Sequence, residues 1–308
     1  EREDAMTSIH ECDRDFVRLD EGLMHYRHAA GHPETSAGTH ESAAAARDTR
    51  VLAEPVWMMH ASPASSRSVE PLACRIATLA DCRVIAPDTP GNGDSAPLQL
   101  PQPELADYAD AFVRMLDALQ IDKVNLYGFH TGAHIAIEMA LRHPARIRRL
   151  ALDGLLWLEE HEREEFLAHY APPLIADALG TQVFQALQFM RDQAWFFPHF
   201  KRDPAHNLGG GAMPAELLHT LTVDLLKAAP SYHLAYRAVF RHRLEERLPQ
   251  LRHPTMLMAD EGDPTRATVQ RAAGLVPGST LHVDGEGWSP AGATAKAQRL
   301  IDFFAKNS

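Results

Sequence analysis

Cysteine is nearly missing from this chain: three residues in 308, Cys12, Cys74 and Cys82. The count is odd and no pair has metal-type spacing. A disulfide framework is therefore not expected; Cys74 and Cys82 read as buried free thiols, and a reducing compartment is favoured. Positive charge is also short. Thirty Lys and Arg face forty-one Asp and Glu, a formal charge of −11. Nucleic-acid binding needs basic patches, and an anionic membrane surface repels such a chain. Neither is an expected partner, and the acidic surface reads as a solubility feature. No apolar run nears the roughly 20 residues needed to span a bilayer. The stretch Glu1 to Asp4 is acidic and polar, unlike a secretory signal. The expectation is a cytoplasmic protein whose partner is a small molecule, with a homodimer the one protein partnership kept open.

What is present suits one large α/β domain carrying a smaller insert: 308 residues, 45% hydrophobic. Phe16–Leu19 and Leu23–Arg27 flank Gly22 as in a hairpin. Gly31 to Leu52 is rich in Ala, Ser, Thr, Gly and His without a strand pattern, and reads as an exposed loop. From Pro55 the pattern is regular. Val56–Met59, Arg83–Ala86, Val124–Tyr127, Ile147–Leu152, Thr255–Ala259 and Thr280–Val283 are short buried strands. Ser68–Leu79, Glu104–Leu119 and Ala293–Phe304 have helical spacing. Strands alternating with helices predict a mainly parallel sheet with helices on both faces, whose ligands bind at the strands' carboxyl ends. Residues 157–250 interrupt the alternation with helix-prone, aromatic-rich sequence broken by Pro172-Pro173, Pro198 and Gly209-Gly210-Gly211. They read as a helical cap, with 1–156 and 251–308 forming the core. The run Glu159 to Glu165 reads as its solvated helix face.

The most telling segment is Gly128-Phe129-His130-Thr131-Gly132. A strand leads in, glycines bound the turn, and a helix leads out. That is the setting of a nucleophile elbow, which normally reads Gly-x-Ser-x-Gly; here His stands at the apex. With it come His60-Ala61-Ser62-Pro63 after the first central strand, the turn Asp88-Thr89-Pro90-Gly91-Asn92-Gly93-Asp94-Ser95, Asp263 after the penultimate strand, and Gly285-Glu286-Gly287-Trp288. In this order, from about Phe16 to Phe304, the chain resembles the α/β-hydrolase superfamily with an inserted cap.

The resemblance implies a small-molecule hydrolase and also marks departures from it. His130 stands where the nucleophilic Ser, Cys or Asp belongs, Trp288 where the catalytic His belongs, and Ala61 where the oxyanion loop has Gly. Of the triad only Asp263 persists, so a Ser-His-Asp mechanism does not transfer. Three readings of His130 follow. As base or nucleophile it is oriented by Asp263 or Asp153, and the helix N-terminus beneath it keeps the ring mostly neutral. The backbone amides of Thr131 and Ser62 are then the oxyanion donors. As a metal ligand it shares an ion with His134 one helical turn on, helped by His60, Asp88 or Asp94. As a binding residue it serves a scaffold without turnover. The expected substrate-side residues are His60, chiefly bracing the oxyanion loop, with Phe129, Trp195 and Trp288. Asp88 and Ser95 are expected to hold their own turn together. No cofactor or metal is expected on balance. The favoured function is hydrolysis, or a related reaction beside a carbonyl, of a small, mainly apolar ester or carbonyl compound by a non-standard mechanism. The alternative is a catalytically inactive pseudo-hydrolase that binds a small molecule.

Overall fold

The computed structural model describes residues 12–30, 50–285, 287 and 289–306. In chain order the strands are β1 (Asp13–Leu19), β2 (Gly22–Ala30), β3 (Arg50–Val51), β4 (Val56–Met59), β5 (Ala80–Asp81), β6 (Arg83–Pro87), β7 (Val124–Phe129), β8 (Ile147–Asp153), β9 (Thr255–Asp260) and β10 (Thr280–Gly285). The helices are α1 (Glu70–Leu79), α2 (Leu105–Ala118), α3 (Thr131–Arg142), α4 (Glu160–His169), α5 (Thr181–Gln193), α6 (Ala215–Ala228), α7 (Tyr232–Arg241), α8 (Leu244–Arg247), α9 (Arg266–Ala273) and α10 (Pro290–Phe304).

Eight strands form one sheet in the order β1-β2-β6-β4-β7-β8-β9-β10. The β1–β2 hairpin and the β2–β6 pair are antiparallel; every pairing from β6 to β10 is parallel. The central strands read as near-continuous apolar runs because both sheet faces are covered. Side-chain alternation sorts them into two layers. Trp57 and Met59 of β4 join α2, α3 and α9 in one hydrophobic cluster, while Val56 and Met58 join α1 and α10 in the other. Two of the helix starts have a clear local cause. At α2 the Glu104 amide donates to the Asp107 carboxylate at 2.8 Å, half of a capping box, and Leu105, Tyr108, Ala109, Phe112 and Leu116 fall on its buried face. At α10 the Ser289 hydroxyl accepts from the Gly292 amide at 3.0 Å ahead of Pro290.

One expected loop boundary needs correction. Arg50 and Val51 pair with Ala80 and Asp81 as a two-stranded parallel ribbon, β3 with β5, because the Leu52 amide also reaches the Asp81 carbonyl. The rest of that stretch, 31–49, lies outside the described residues. Between β8 and β9 the chain builds α4 to α8. The acidic run there is not wholly solvated: Arg163 is buried and donates to the carbonyls of Leu158 and Phe240. Among the described residues no helix is long and apolar enough to cross a membrane.

Candidate active site

The site begins with the backbone of the β7–α3 turn. His130 has φ 47° and ψ −108°, a left-sided conformation that costs a non-glycine residue energy and holds only where the surroundings enforce it. Two glycines make the turn possible. A Cβ on Gly128 would lie 2.4 Å from the Gly132 carbonyl oxygen, and one on Gly132 would lie 2.4 Å from the Met59 carbonyl oxygen. Helix α3 is thus pressed against the sheet and the apex ring is thrown out over the strand ends. Gly154 (φ +77°) completes the fit, since a Cβ there would meet the His130 ring at 2.5 Å.

His130 Nε2 lies 2.7 Å from Asp263 Oδ2. Asp263 Oδ1 accepts from the Thr265 amide at 2.7 Å and its hydroxyl at 2.6 Å, which fixes the carboxylate from behind. Burial disfavours a charged His130 ring, but the charge and hydrogen bond of Asp263 outweigh it and raise the pKa above the ordinary histidine value. The expectation of a depressed, mostly neutral ring therefore needs correction: the neighbouring carboxylate counts for more than the helix terminus. Burial would likewise push Asp263 up, yet the His130 ring and the Thr265 donors hold its carboxyl far below the usual range. Among the described residues no hydrogen bond engages His130 Nδ1, and the residue lines a cavity.

The cavity has a volume of about 190 Å³. Ser62, Phe129, His130 and Thr131 form its floor, and Tyr170, Gln193, Phe197, Tyr236 and Phe240 its roof. Among the described residues its lining contains no Lys, Arg, Asp or Glu. Phe129 meets the His130 ring edge-on at 4.4 Å. The Tyr236 hydroxyl donates to the Ser62 carbonyl at 2.6 Å and so ties α7 to the oxyanion loop. Thr131 and Ser62 are adjacent as expected, with one unforeseen contact: the Ser62 amide donates to Thr131 Oγ1 at 3.2 Å.

Other expected residues lie elsewhere. Asp153 does not orient His130. Strand alternation turns its side chain to the α1/α10 face, where Oδ2 accepts from the Tyr127 hydroxyl at 2.7 Å and from Lys296 Nζ at 2.8 Å. Lys296 also donates to Asp260 at 3.0 Å, making a buried ionic cluster behind the elbow. His60 does not face the substrate cavity. It is fully buried, bonded through Nδ1 to the Ala61 carbonyl and through Nε2 to the Thr89 amide, so it braces the loop. Trp195 sits 36% exposed past the end of α5, away from the cavity; Phe197, two residues on, lines it instead. Trp288 lies outside the described residues. Asp88 does hold its turn, accepting from His25, Asp94 and Ser66, with Ser95 donating to its carbonyl.

The shared-ion reading fails on geometry, because both nitrogens of His134 are engaged. Nε2 accepts from the Leu156 amide at 3.1 Å, which leaves the proton on Nδ1 to donate to His242 Nδ1 at 2.9 Å. His242 then donates from Nε2 to Glu138 at 3.0 Å, and Arg247 clasps the same carboxylate through two bonds. Burial drives the His134 pKa well down, so the ring stays neutral. This chain ties Leu156, just after β8, His242, just after α7, and Arg247, at the end of α8, to the helix that carries the elbow. Glu138→Ala should cost about 2 kcal/mol, the worth of hydrogen bonds to a charged group. It should also speed amide exchange around 242–247 before the rest of the protein. Uniform protection at wild-type levels would refute that role for Glu138.

The family model described as the alpha/beta hydrolase fold matches residues 54–285. The chain belongs to the α/β-hydrolase family. Stretches of this α/β-hydrolase are similar to curated members. One is the 2-hydroxymuconate semialdehyde hydrolase of Pseudomonas sp. strain CF600, 44% identical over 72 residues, 23% of this chain and 25% of the relative. Another is the 2-hydroxy-6-oxononadienedioate/2-hydroxy-6-oxononatrienedioate hydrolase 1 of Dechloromonas aromatica, 36% identical over 108 residues, 33% of this chain and 36% of the relative. The similarity thus spans about a quarter to a third of these relatives. In three dimensions the α/β-hydrolase is similar to the esterase of Exiguobacterium antarcticum, with a TM-score of 0.67, 17% identity, and coverage of 94% of this chain and 99% of that one.

Several site residues of this α/β-hydrolase escaped the sequence reading. Lys296 left a signal, a lysine on the apolar stripe of Ala293, Ala297, Leu300 and Phe304. Gly154 left a weaker one, the Asp-Gly pair closing β8. Gln193 and His242 left none, and Tyr236 only its place among the aromatics of the inserted segment, because their approach to the site depends on how the inserted helices fold back.

Proposed function

We propose that this α/β-hydrolase hydrolyses a small, uncharged, mainly apolar ester or carbonyl compound, with His130 as general base and residues 157–250 as the cap over it. The observation that carries this is the 2.7 Å bond between His130 Nε2 and Asp263 beside a cavity that Nδ1 can address. With the Nε2 proton committed to Asp263, neutral His130 offers its Nδ1 lone pair to a water. The water oxygen adds to the substrate carbonyl carbon. The resulting oxyanion is met by the Thr131 amide at the head of α3, and by the Ser62 amide once the substrate oxygen replaces Thr131 Oγ1. The imidazolium then returns its proton to the leaving alcohol, and acid and alcohol depart. No covalent enzyme intermediate is needed.

The cavity chemistry supports an uncharged substrate. The Dechloromonas relative carries a dioate in its name. Two carboxylates would have to shed their hydration in a cavity whose described lining offers no cation beyond a protonated His130, itself already paired with Asp263, at large cost. Aromatic rings and one amide, Gln193, favour a flat neutral group instead.

A second reading draws on the Ser62–Thr131 contact: with an oxyanion donor occupied from within, the chain serves as a ligand-binding scaffold. One panel decides between the two. Neutral aryl and short alkyl esters should turn over, their carboxylate-bearing analogues should not, and His130→Ala should abolish turnover while still folding cooperatively, with a melting temperature lowered only by the loss of the Asp263 pair. Wild-type protein that is stabilised by these esters but turns none over would establish the scaffold reading. His130→Ala with wild-type rates would remove His130 from the chemistry.

A further inference from the structure

Away from the cavity, two of the three cysteines face each other. Cys12, just before β1, and Cys74, on α1, have their sulfurs 2.7 Å apart, although 62 residues separate them in sequence. Both are buried. The pocket around them is polar on one side only. Glu70 takes the Cys12 amide at 3.2 Å and the Arg27 guanidinium at 3.0 Å on the same oxygen. We propose that Cys12 and Cys74 are a redox-active pair, closed by hydroperoxides into a reversible disulfide that fastens the start of β1 to α1.

Three observations carry this. A disulfide needs its sulfurs at about 2.05 Å, so closure asks the two sulfurs to approach by under an ångström. The two thiols are also unequal: the Cys12 hydrogen bond lowers the pKa of Cys74, while the same contact and burial raise that of Cys12. Either sulfur can donate in this contact; Cys74 is taken to attack and Cys12 to resolve, and the reverse order gives the same disulfide. Cys82 supplies an internal contrast. It is buried alone, and its thiol is pushed up to about 12 by burial and then by Asp81.

The chemistry balances. The Cys74 thiolate attacks one oxygen of hydrogen peroxide, forming Cys74–SOH and releasing hydroxide. That hydroxide takes the Cys12 proton and becomes water. Cys12 sulfur then attacks Cys74 sulfur and expels the second oxygen as hydroxide, which the proton lost when Cys74 ionised turns into a second water. Two thiols and one peroxide give one disulfide and two waters; the sulfurs lose two electrons and the peroxide gains them.

A metal is the competing use of this cluster, since Cys12, Cys74 and Glu70 place one ligand atom each within 4.8 Å of the others. The donor set argues against it. It offers three ligands where zinc takes four, and the Glu70 oxygen already receives two donors, one of them cationic.

The test is to treat the reduced, full-length protein with hydrogen peroxide and analyse it by intact mass, thiol titration in denaturant and peptide mapping. Expected are the loss of two hydrogens, a fall from three titratable thiols to one, and a cross-linked peptide pair containing Cys12 and Cys74. The melting temperature should rise by several degrees, as for any staple across a long loop, and a phosphine reductant should reverse every change. Cys82→Ser should retain the cross-link and Cys12→Ser should lose it while folding normally. Sulfinic acid at Cys74 without a cross-link would overturn the proposal. So would a bridge involving Cys82, or zinc retained at one equivalent by the untreated protein and lost in Cys12→Ser.

Discussion

Asp263→Asn lowers kcat/KM about a hundred- to ten-thousand-fold at the plateau and moves the acid limb of the pH profile to lower pH. Both effects come from the one bond at 2.7 Å. In the wild type, burial lowers the His130 pKa and Asp263 raises it, with Asp263 prevailing. A base must be neutral to act, so the wild-type rate climbs with pH through a midpoint above about 6.5, the ordinary histidine value. Without the carboxylate, burial is left dominant and the midpoint drops. The plateau falls for a separate reason. An Asn at 263 can donate to Nε2, which moves the ring proton to Nδ1 and points a donor where the lone pair is needed. A pH series of kcat/KM on a neutral ester measures both. An unchanged midpoint with an unchanged plateau would show that Asp263 does not govern His130.

The same pair links pH to stability with opposite demands. A raised His130 contributes stability in full below its unfolded value near 6.5 and loses it as pH rises through the folded value. A depressed Asp263 contributes above its unfolded value near 3.9 and loses it as pH falls. The pair therefore holds the fold best between about 4 and 6.5, whereas the base works best above that window.

Lys296→Met should be the most damaging single change to the fold, costing about 3–5 kcal/mol at neutral pH. The lysine is 3% exposed and neutralises two carboxylates, Asp153 at 2.8 Å and Asp260 at 3.0 Å. Removing it strands two like charges in a region where burial already raises the Asp260 pKa. The deficit should shrink as pH falls and those carboxyls protonate. Adding Asp153→Asn and Asp260→Asn to Lys296→Met should recover most of the loss, since a neutral cluster has no stranded charge. Urea unfolding at several pH values reads all three. A loss under about 1 kcal/mol would mean that water or some other group compensates the carboxylates.

Local sequence pattern carried the architecture because buried parallel strands and amphipathic helices write their periods directly into the chain. It carried His130, Asp263 and Thr131 because an elbow and a strand end fix where a side chain must go. The error at Asp153 was avoidable on the same grounds. Tyr127 of β7 and Ala151 of β8 lie in the α1/α10 layer, and Asp153 two positions past Ala151 shares its face. His60 was ambiguous because a loop residue has no period, and its burial follows from the Thr89 amide brought in by a different strand. Trp195 was misjudged because aromatic content marks a wall without saying which ring faces inward; Phe197 and Phe240 do, and that choice belongs to tertiary folding.

The direct contact between His130 and Asp263 also constrains the history open to this chain. A hydroxyl placed at 130 by one mutation would leave Asp263 without the imidazole that it now holds. A serine mechanism would also need a second substitution, one that supplies a new imidazole to Asp263. The order of the two changes therefore matters: a serine placed first has no base, and an imidazole supplied first must displace His130 from the Asp263 carboxylate.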